Sequence, residues 1–174
     1  MAHTNRLTHP LSVTQTIVDK HSREGRNYAY ANILTFGGAG SQYFLFDLSG
    51  TPSEIQIVFS PLIGEAFSDR VDVYVYEGTD YSGGSTVNFY NVNRNFSDDY
   101  KPTITTGATG SDKGTELRRY AYPASASGNN LRPVSGRTFV SLVANNSQNY
   151  LLEIEAAGAT DFEMDMNFFE ERDS

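Results

Sequence analysis

The sequence predicts an all-β fold, a β-sandwich or jelly roll behind an extended N-terminal arm. Three observations carry this expectation. Short apolar and aromatic runs recur at roughly 8- to 15-residue spacing, separated by turns of Gly, Ser and Asn. Several runs alternate apolar and polar residues with a period of two, the mark of a strand with one buried and one wet face. No segment sustains an amphipathic helical pattern over about 11 residues, which argues against the α/β classes.

Residues 1–26 read as the arm and 27–174 as the sandwich domain. In the arm only Val13 to Lys20 carries a pattern, compatible with a short helix or an extended segment, between Pro10 and Gly25. Strands are then expected over Tyr28–Phe36, Tyr43–Leu48, Glu54–Ser60, Arg70–Glu77, Thr86–Asn91, Thr103–Thr106, Glu116–Tyr122, Phe139–Val143 and Tyr150–Ala156. In the third, Ile55, Ile57 and Phe59 face one way, against Glu54, Gln56 and Val58. In the fourth, Val71, Val73 and Val75 oppose Asp72, Tyr74 and Tyr76. The last run alternates most clearly, with Phe162, Met164, Met166 and Phe168 between Asp161, Glu163, Asp165 and Asn167. Asn145-Asn146-Ser147 reads as a turn, and residues 92–114 as a long polar insertion of the kind that carries function or an interface.

At 174 residues the chain suits one domain and a core that needs no covalent staple. It has no cysteine, so disulfides, thiolate chemistry and Cys-based zinc sites are excluded. A net charge of -8 argues against binding nucleic acid or an anionic membrane. No apolar run approaches the roughly 20 residues of a membrane span. The opening residues, MAHTNRLTHPLS, do not read as a secretory signal. The charge is asymmetric. Arg6, Lys20, Arg23 and Arg26 outnumber Asp19 and Glu24 at the start, whereas from Glu153 onward eight acids face Arg172 alone. That polarity suits head-to-tail or cross-subunit contacts, or else simple solvation.

Catalytic motifs are weak or broken. GATGSDKG at 107–114 lacks the Gly-Lys-Ser/Thr ending of a phosphate loop. GGAG at 37–40 lies between strands, not before a helix. His3, His9 and His21 all fall in the arm, a poor platform for a triad. Asp98-Asp99, Asp112 with Glu116, and the Asp161, Glu163, Asp165 ladder supply oxygen ligands without a calcium-loop spacing. No metal, cofactor or catalytic residue is therefore expected, and the chain reads as non-enzymatic. Tyr74, Tyr76, Tyr81 and Tyr90 form a candidate sugar-stacking or protein-binding platform, or ordinary sheet packing.

Val92-Asn93-Arg94-Asn95, Pro102-Thr103-Ile104-Thr105-Thr106-Gly107 and Gly114-Thr115-Glu116-Leu117 carry a resemblance. With the ending Asn167-Phe168-Phe169-Glu170 and the segment Asp19 to Gly25, they resemble a family of small virion proteins of tailed bacteriophages, the head-decoration or cement proteins. The family's Arg and Ser spacing after Asn95 is replaced by Phe96 and Asp98-Asp99, and the stretch Arg118–Asn130 is long. The resemblance implies a non-enzymatic β-sandwich on the outer capsid surface of the virion. Its partners would be the major capsid protein and further copies of itself, as a homotrimer or alternatively a dimer. The implied contacts are Arg6, Lys20, Arg23 and Arg26 of the arm and Asn93, Arg94 and Asn95 of the loop. Ordering such an arm costs roughly 1–2 kcal/mol per residue, which repeated shell sites offset by avidity. Other readings are a tail, collar or fibre component, or a carbohydrate-binding module using the tyrosines.

Overall fold

The computed structural model describes residues 20–59, 63–124 and 142–172. Alternation sets the facing of β12, β5 and β3, as expected. In β12 (Thr160–Arg172) Phe162, Met164, Met166 and Phe168 are buried while Asp161, Glu163 and Asp165 are exposed. In β5 (Val71–Glu77) Val71 and Val73 are fully buried, and in β3 (Ile55–Phe59) Ile55 and Ile57 are. The other long strands are β1 (Asn27–Phe36), β2 (Gly40–Asp47), β9 (Thr115–Tyr122) and β11 (Tyr150–Ala156). Short ones are β4 (Ile63–Ala66), β6 (Ser85–Thr86), β7 (Tyr90–Asn91), β8 (Thr103–Thr106) and β10 (Leu142–Val143).

These strands form two six-stranded antiparallel sheets enclosing one main core. Sheet A runs β10–β3–β12–β1–β7, with β4 also on β12; sheet B runs β6–β8–β2–β11–β5–β9. The pairings are nested: β1 with β12, β2 with β11, β3 with β10 and β5 with β9. Between β5 and β9 the chain makes an excursion, residues 78–114, that adds β7 to the free side of β1 and β8 and β6 to the free side of β2. The excursion therefore extends both sheets along one edge of the sandwich.

Two local features depart from the sequence-based expectation. Thr86–Asn91 is not one strand. Its ends belong to different sheets, because Val87 and Phe89 turn into the core between them. The Tyr100 hydroxyl replaces the missing ladder, donating to the Val87 carbonyl (2.9 Å) and accepting from the Phe89 amide (3.2 Å). Strand β4 was not expected, since Ile63-Gly64-Glu65-Ala66 shows no alternation. It forms because β12 outruns β3 and offers an open ladder over Phe162–Asp165. Gly64 makes this possible, since a Cβ there would run into the buried Phe162 ring. Within the polar stretch 92–114, β8 forms over Thr103–Thr106, the strand expected there. Of the expected strand Phe139–Val143, only Leu142–Val143 falls among the described residues.

Candidate functional site

The arm's last residues are part of the folded body. Residues 20–23 form a single helical turn. It closes at Gly25, whose φ of 68° is left-handed. The Arg26 amide donates to the His21 carbonyl (2.9 Å) and the Gly25 amide to that of Ser22 (3.3 Å), the paired bonds that satisfy a helix end. A side chain at Gly25 would collide with the Phe96 ring. Glycine thus serves both the turn and the seat.

This turn lies on the outer face of sheet A. His21 is buried there, 5.4 Å from the Phe169 ring, with its Nε2 3.4 Å from Glu171 Oε1. Burial lowers the His21 pKa below its ordinary 6.5, Glu171 pulls it back up, and Arg26 pushes it down. His21 is therefore no free arm residue, contrary to the expectation for the three histidines. Its ring fills the gap over Phe169 that an exposed aromatic would otherwise leave. His3 and His9 lie outside the described residues.

The rivet between arm and loop is Asn91, which the sequence did not single out. It is buried, and its Nδ2 donates to the carbonyls of Gly25 (2.7 Å) and Ser97 (3.1 Å). Its Oδ1 accepts the Asn93 amide (3.0 Å), and Asn93 Oδ1 in turn accepts the Asn95 amide (3.2 Å). Asn93 Nδ2 reaches back to the Arg23 carbonyl (3.3 Å). The repeated Asn of 91, 93 and 95 is the signal that marks this chain of turns. Asn91→Ala leaves the Gly25 carbonyl buried without its donor, a cost of about 1–3 kcal/mol. We expect faster amide exchange and proteolysis across residues 20–27 in that variant while the β11 amides stay protected.

Arg94 is two-thirds exposed, 2.9 Å from Asp98 Oδ1 and 3.4 Å from the Asn91 carbonyl, with its guanidinium 5.7 Å from the Tyr90 ring centre. Asp98 also accepts the Asn91 amide (2.6 Å). Arg26 pairs with Glu24. Lys20, Arg23, Arg26, Asn93, Arg94 and Asn95 are thus brought into one strip formed by the helical turn and the loop. Arg6 lies outside the described residues. The strip also shows apolar surface, for Tyr90 is 57%, Val92 46% and Phe96 47% exposed.

A second polar cluster stands on the outer face of sheet B, built on one of the C-terminal acids for which subunit contacts or solvation were expected. Glu153 of β11 is 2% exposed. Its carboxylate accepts from Lys113 Nζ (2.7 and 2.8 Å), Ser41 Oγ (2.9 Å) and the Tyr76 hydroxyl (3.1 Å). Residues 107–114 strap over it. Ala108 packs with Leu45, Tyr81 and Leu151 in a small second core, and Asp80 holds the strap by accepting the amides of Ser111 (2.9 Å) and Asp112 (2.8 Å). Burial raises the Glu153 pKa, but the bonds from Lys113 and Ser41 outweigh it and leave the carboxyl below its ordinary 4.5. The same site pushes the Tyr76 hydroxyl up, by burial first and then by Glu153.

The four candidate tyrosines share no platform. Tyr74 and Tyr76 stack at 6.1 Å on β5, Tyr81 is buried beneath the strap, and Tyr90 stands on the other sheet. Likewise Asp98 and Asp112 are engaged as turn caps, the latter accepting the Gly114 amide (2.9 Å). No group of three metal-ligating side chains occurs among the described residues. No family model matches the chain, and no curated protein matches it.

Proposed function

We propose that this chain is a non-enzymatic capsid decoration protein of a tailed bacteriophage, binding the major capsid protein on the outside of the shell as a homo-oligomer. The observation that carries the reading is the strip. Six of the seven residues that the family resemblance implies as contacts sit together, on a helical turn and loop locked to each other by Asn91. A locked strip limits the ordering cost at binding. The nested strand order supports a jelly roll, an architecture used repeatedly in virus shells and also in lectins. A tail, collar or fibre role uses the same scaffold and differs only in where the chain binds. Glycan binding has less support, because Tyr81 and Tyr90 do not join Tyr74 and Tyr76.

The test is co-sedimentation of the purified chain with shells that lack it, followed by heating. Saturable binding and a raised shell disruption temperature are expected. Arg94→Ala should weaken binding about tenfold or more, as truncating a central Arg anchor does. Among the described residues Arg94 is held by Asp98, the Asn91 carbonyl and the Tyr90 ring, and it is itself two-thirds exposed, so the fold should lose less than about 1 kcal/mol. No sedimentation with shells overturns the decoration reading, and sedimentation with tails instead moves the chain there.

A further inference from the structure

The outer face of sheet A is electrically polarised along its strands. At one end the helical turn sits over Phe169 and presents Lys20 and Arg23, both exposed and neither ion-paired among the described residues, while the acids there, Glu24 and Glu171, are engaged by Arg26 and His21. At the other end Glu163 and Asp165 stand exposed on β12, two residues apart, with no cation paired to them among the described residues. The register joins the two ends. Ala29 lies beside Tyr90, and four residues further along β1 Ile33 lies beside Glu163. Along β12 Phe169, under the turn, is four residues from Asp165 and six from Glu163, so at about 3.4 Å per residue the two ends are separated by roughly 14–20 Å.

The surface between them is small or apolar. Ala29 and Ala31 allow close approach, while Ile33 and Tyr90 are each 57% exposed. Large apolar side chains beside unpaired like charges cost free energy in a lone copy, through water contact and through mutual repulsion. One operation removes both costs. A two-fold axis lying in the plane of the face and across the strands brings the cationic end of one copy over the acidic end of the other, twice. An isologous contact must be self-complementary in this way.

We propose that this face is a two-fold dimer interface between copies of this chain, with Lys20 and Arg23 of each copy meeting Glu163 and Asp165 of the other around Ile33 and Tyr90. Lys20, Arg23 and Tyr90 belong to the strip, so the contact between copies takes these and leaves Arg26, Asn93, Arg94 and Asn95 to the shell; the dimer stands or falls in solution, apart from shell binding.

The experiment is sedimentation velocity on the full chain and two charge-reversed variants, Lys20→Glu/Arg23→Glu and Glu163→Lys/Asp165→Lys. The wild type should dimerise, with a Kd that rises as salt is raised from about 0.05 to 0.5 M. Each variant alone should raise that Kd about tenfold or more. Mixed together they should form a 1:1 dimer, because every contact is then between opposite charges again. Circular dichroism of each variant confirms that the fold persists, and the mixture restores the dimer only if both partners are folded. A wild type that stays monomeric overturns the inference, as does a dimer indifferent to both reversals. Assemblies larger than a dimer in the mixture overturn the two-fold arrangement in favour of a head-to-tail one.

Discussion

Phe89→Ala should destabilise the chain by about 3–5 kcal/mol, the usual cost of emptying a fully buried phenylalanine site. Phe89 comes from the excursion between β5 and β9, yet its ring is the hub of the main core. It lies 5.3 Å from Tyr30, 5.9 Å from Phe46, 6.2 Å from Tyr100 and 5.3 Å from Phe168. Those neighbours belong to β1, β2, β12 and the loop before β8. The sheets are held apart by their own strands and cannot collapse into the space left behind. A domain of this kind has about 5–15 kcal/mol in all, so about a fifth or more of its stability goes. Urea unfolding reads this as a large drop in midpoint at unchanged slope. A loss below about 1 kcal/mol would mean that the excursion lies outside the cooperative unit, contrary to its placement.

Lys113→Ala, on the outer face of sheet B, should destabilise the chain by about 2–3 kcal/mol. The figure is kept below that of a wholly buried pair because Lys113 is 40% exposed. The two partners are not equivalent. Without Lys113 the Glu153 carboxylate stays under the strap, holding only Ser41 and Tyr76. Without the carboxylate, as in Glu153→Gln, the lysine swings to water at little cost. The lysine variant should therefore be the less stable of the two.

Acidity supplies a second readout of this pair. In the wild type the folded Glu153 pKa is below 4.5, so its contribution is present above that value and is lost as pH falls through the folded pKa. Lys113 opposes it at the other extreme. Burial lowers its pKa, but Glu153 more than compensates and leaves it above 10.5, so its contribution is present below 10.5 and lost as pH rises through the folded value. In Lys113→Ala the carboxyl titrates higher than in the wild type. The stability gap between the two proteins should then narrow as pH falls below about 5. A gap that is constant from pH 7 to about pH 3 would mean that the pair contributes nothing electrostatic.

The strands with regular alternation were legible in the sequence because one period decides both their type and their facing. β12, β5 and β3 show this, and the apolar run of β11 does too, though for another reason. Its inward side chains Tyr150, Leu152 and Ile154 meet the core, while its outward Leu151 and Glu153 are covered by the strap. A strand buried on both faces loses its alternation. Glu153 therefore read as one more solvated acid, and its burial depends on Lys113, forty positions away. β4 was invisible for a similar reason, being formed by the open ladder of β12 and not by any preference of its own four residues. In the strip, Arg94 and its flanking asparagines were visible as an unusual cluster. Asn91 was not, because its value lies in reaching the Gly25 carbonyl across the chain.

The positions of β11 and β12 have a consequence for how the molecule is made. β12 is the strand that joins β1, β3 and β4, and β11 is the strand that joins β2 and β5. Until these two emerge from the ribosome, β1, β2 and β3 have no partner in the centre of either sheet. At roughly 5–20 residues per second of synthesis the earlier strands wait several seconds with open edges. Folding must then proceed in one late, long-range step, which is slow for any chain of such topology. A nascent chain stalled before Tyr150 should thus be a client of chaperones, and one stalled after Arg172 should not.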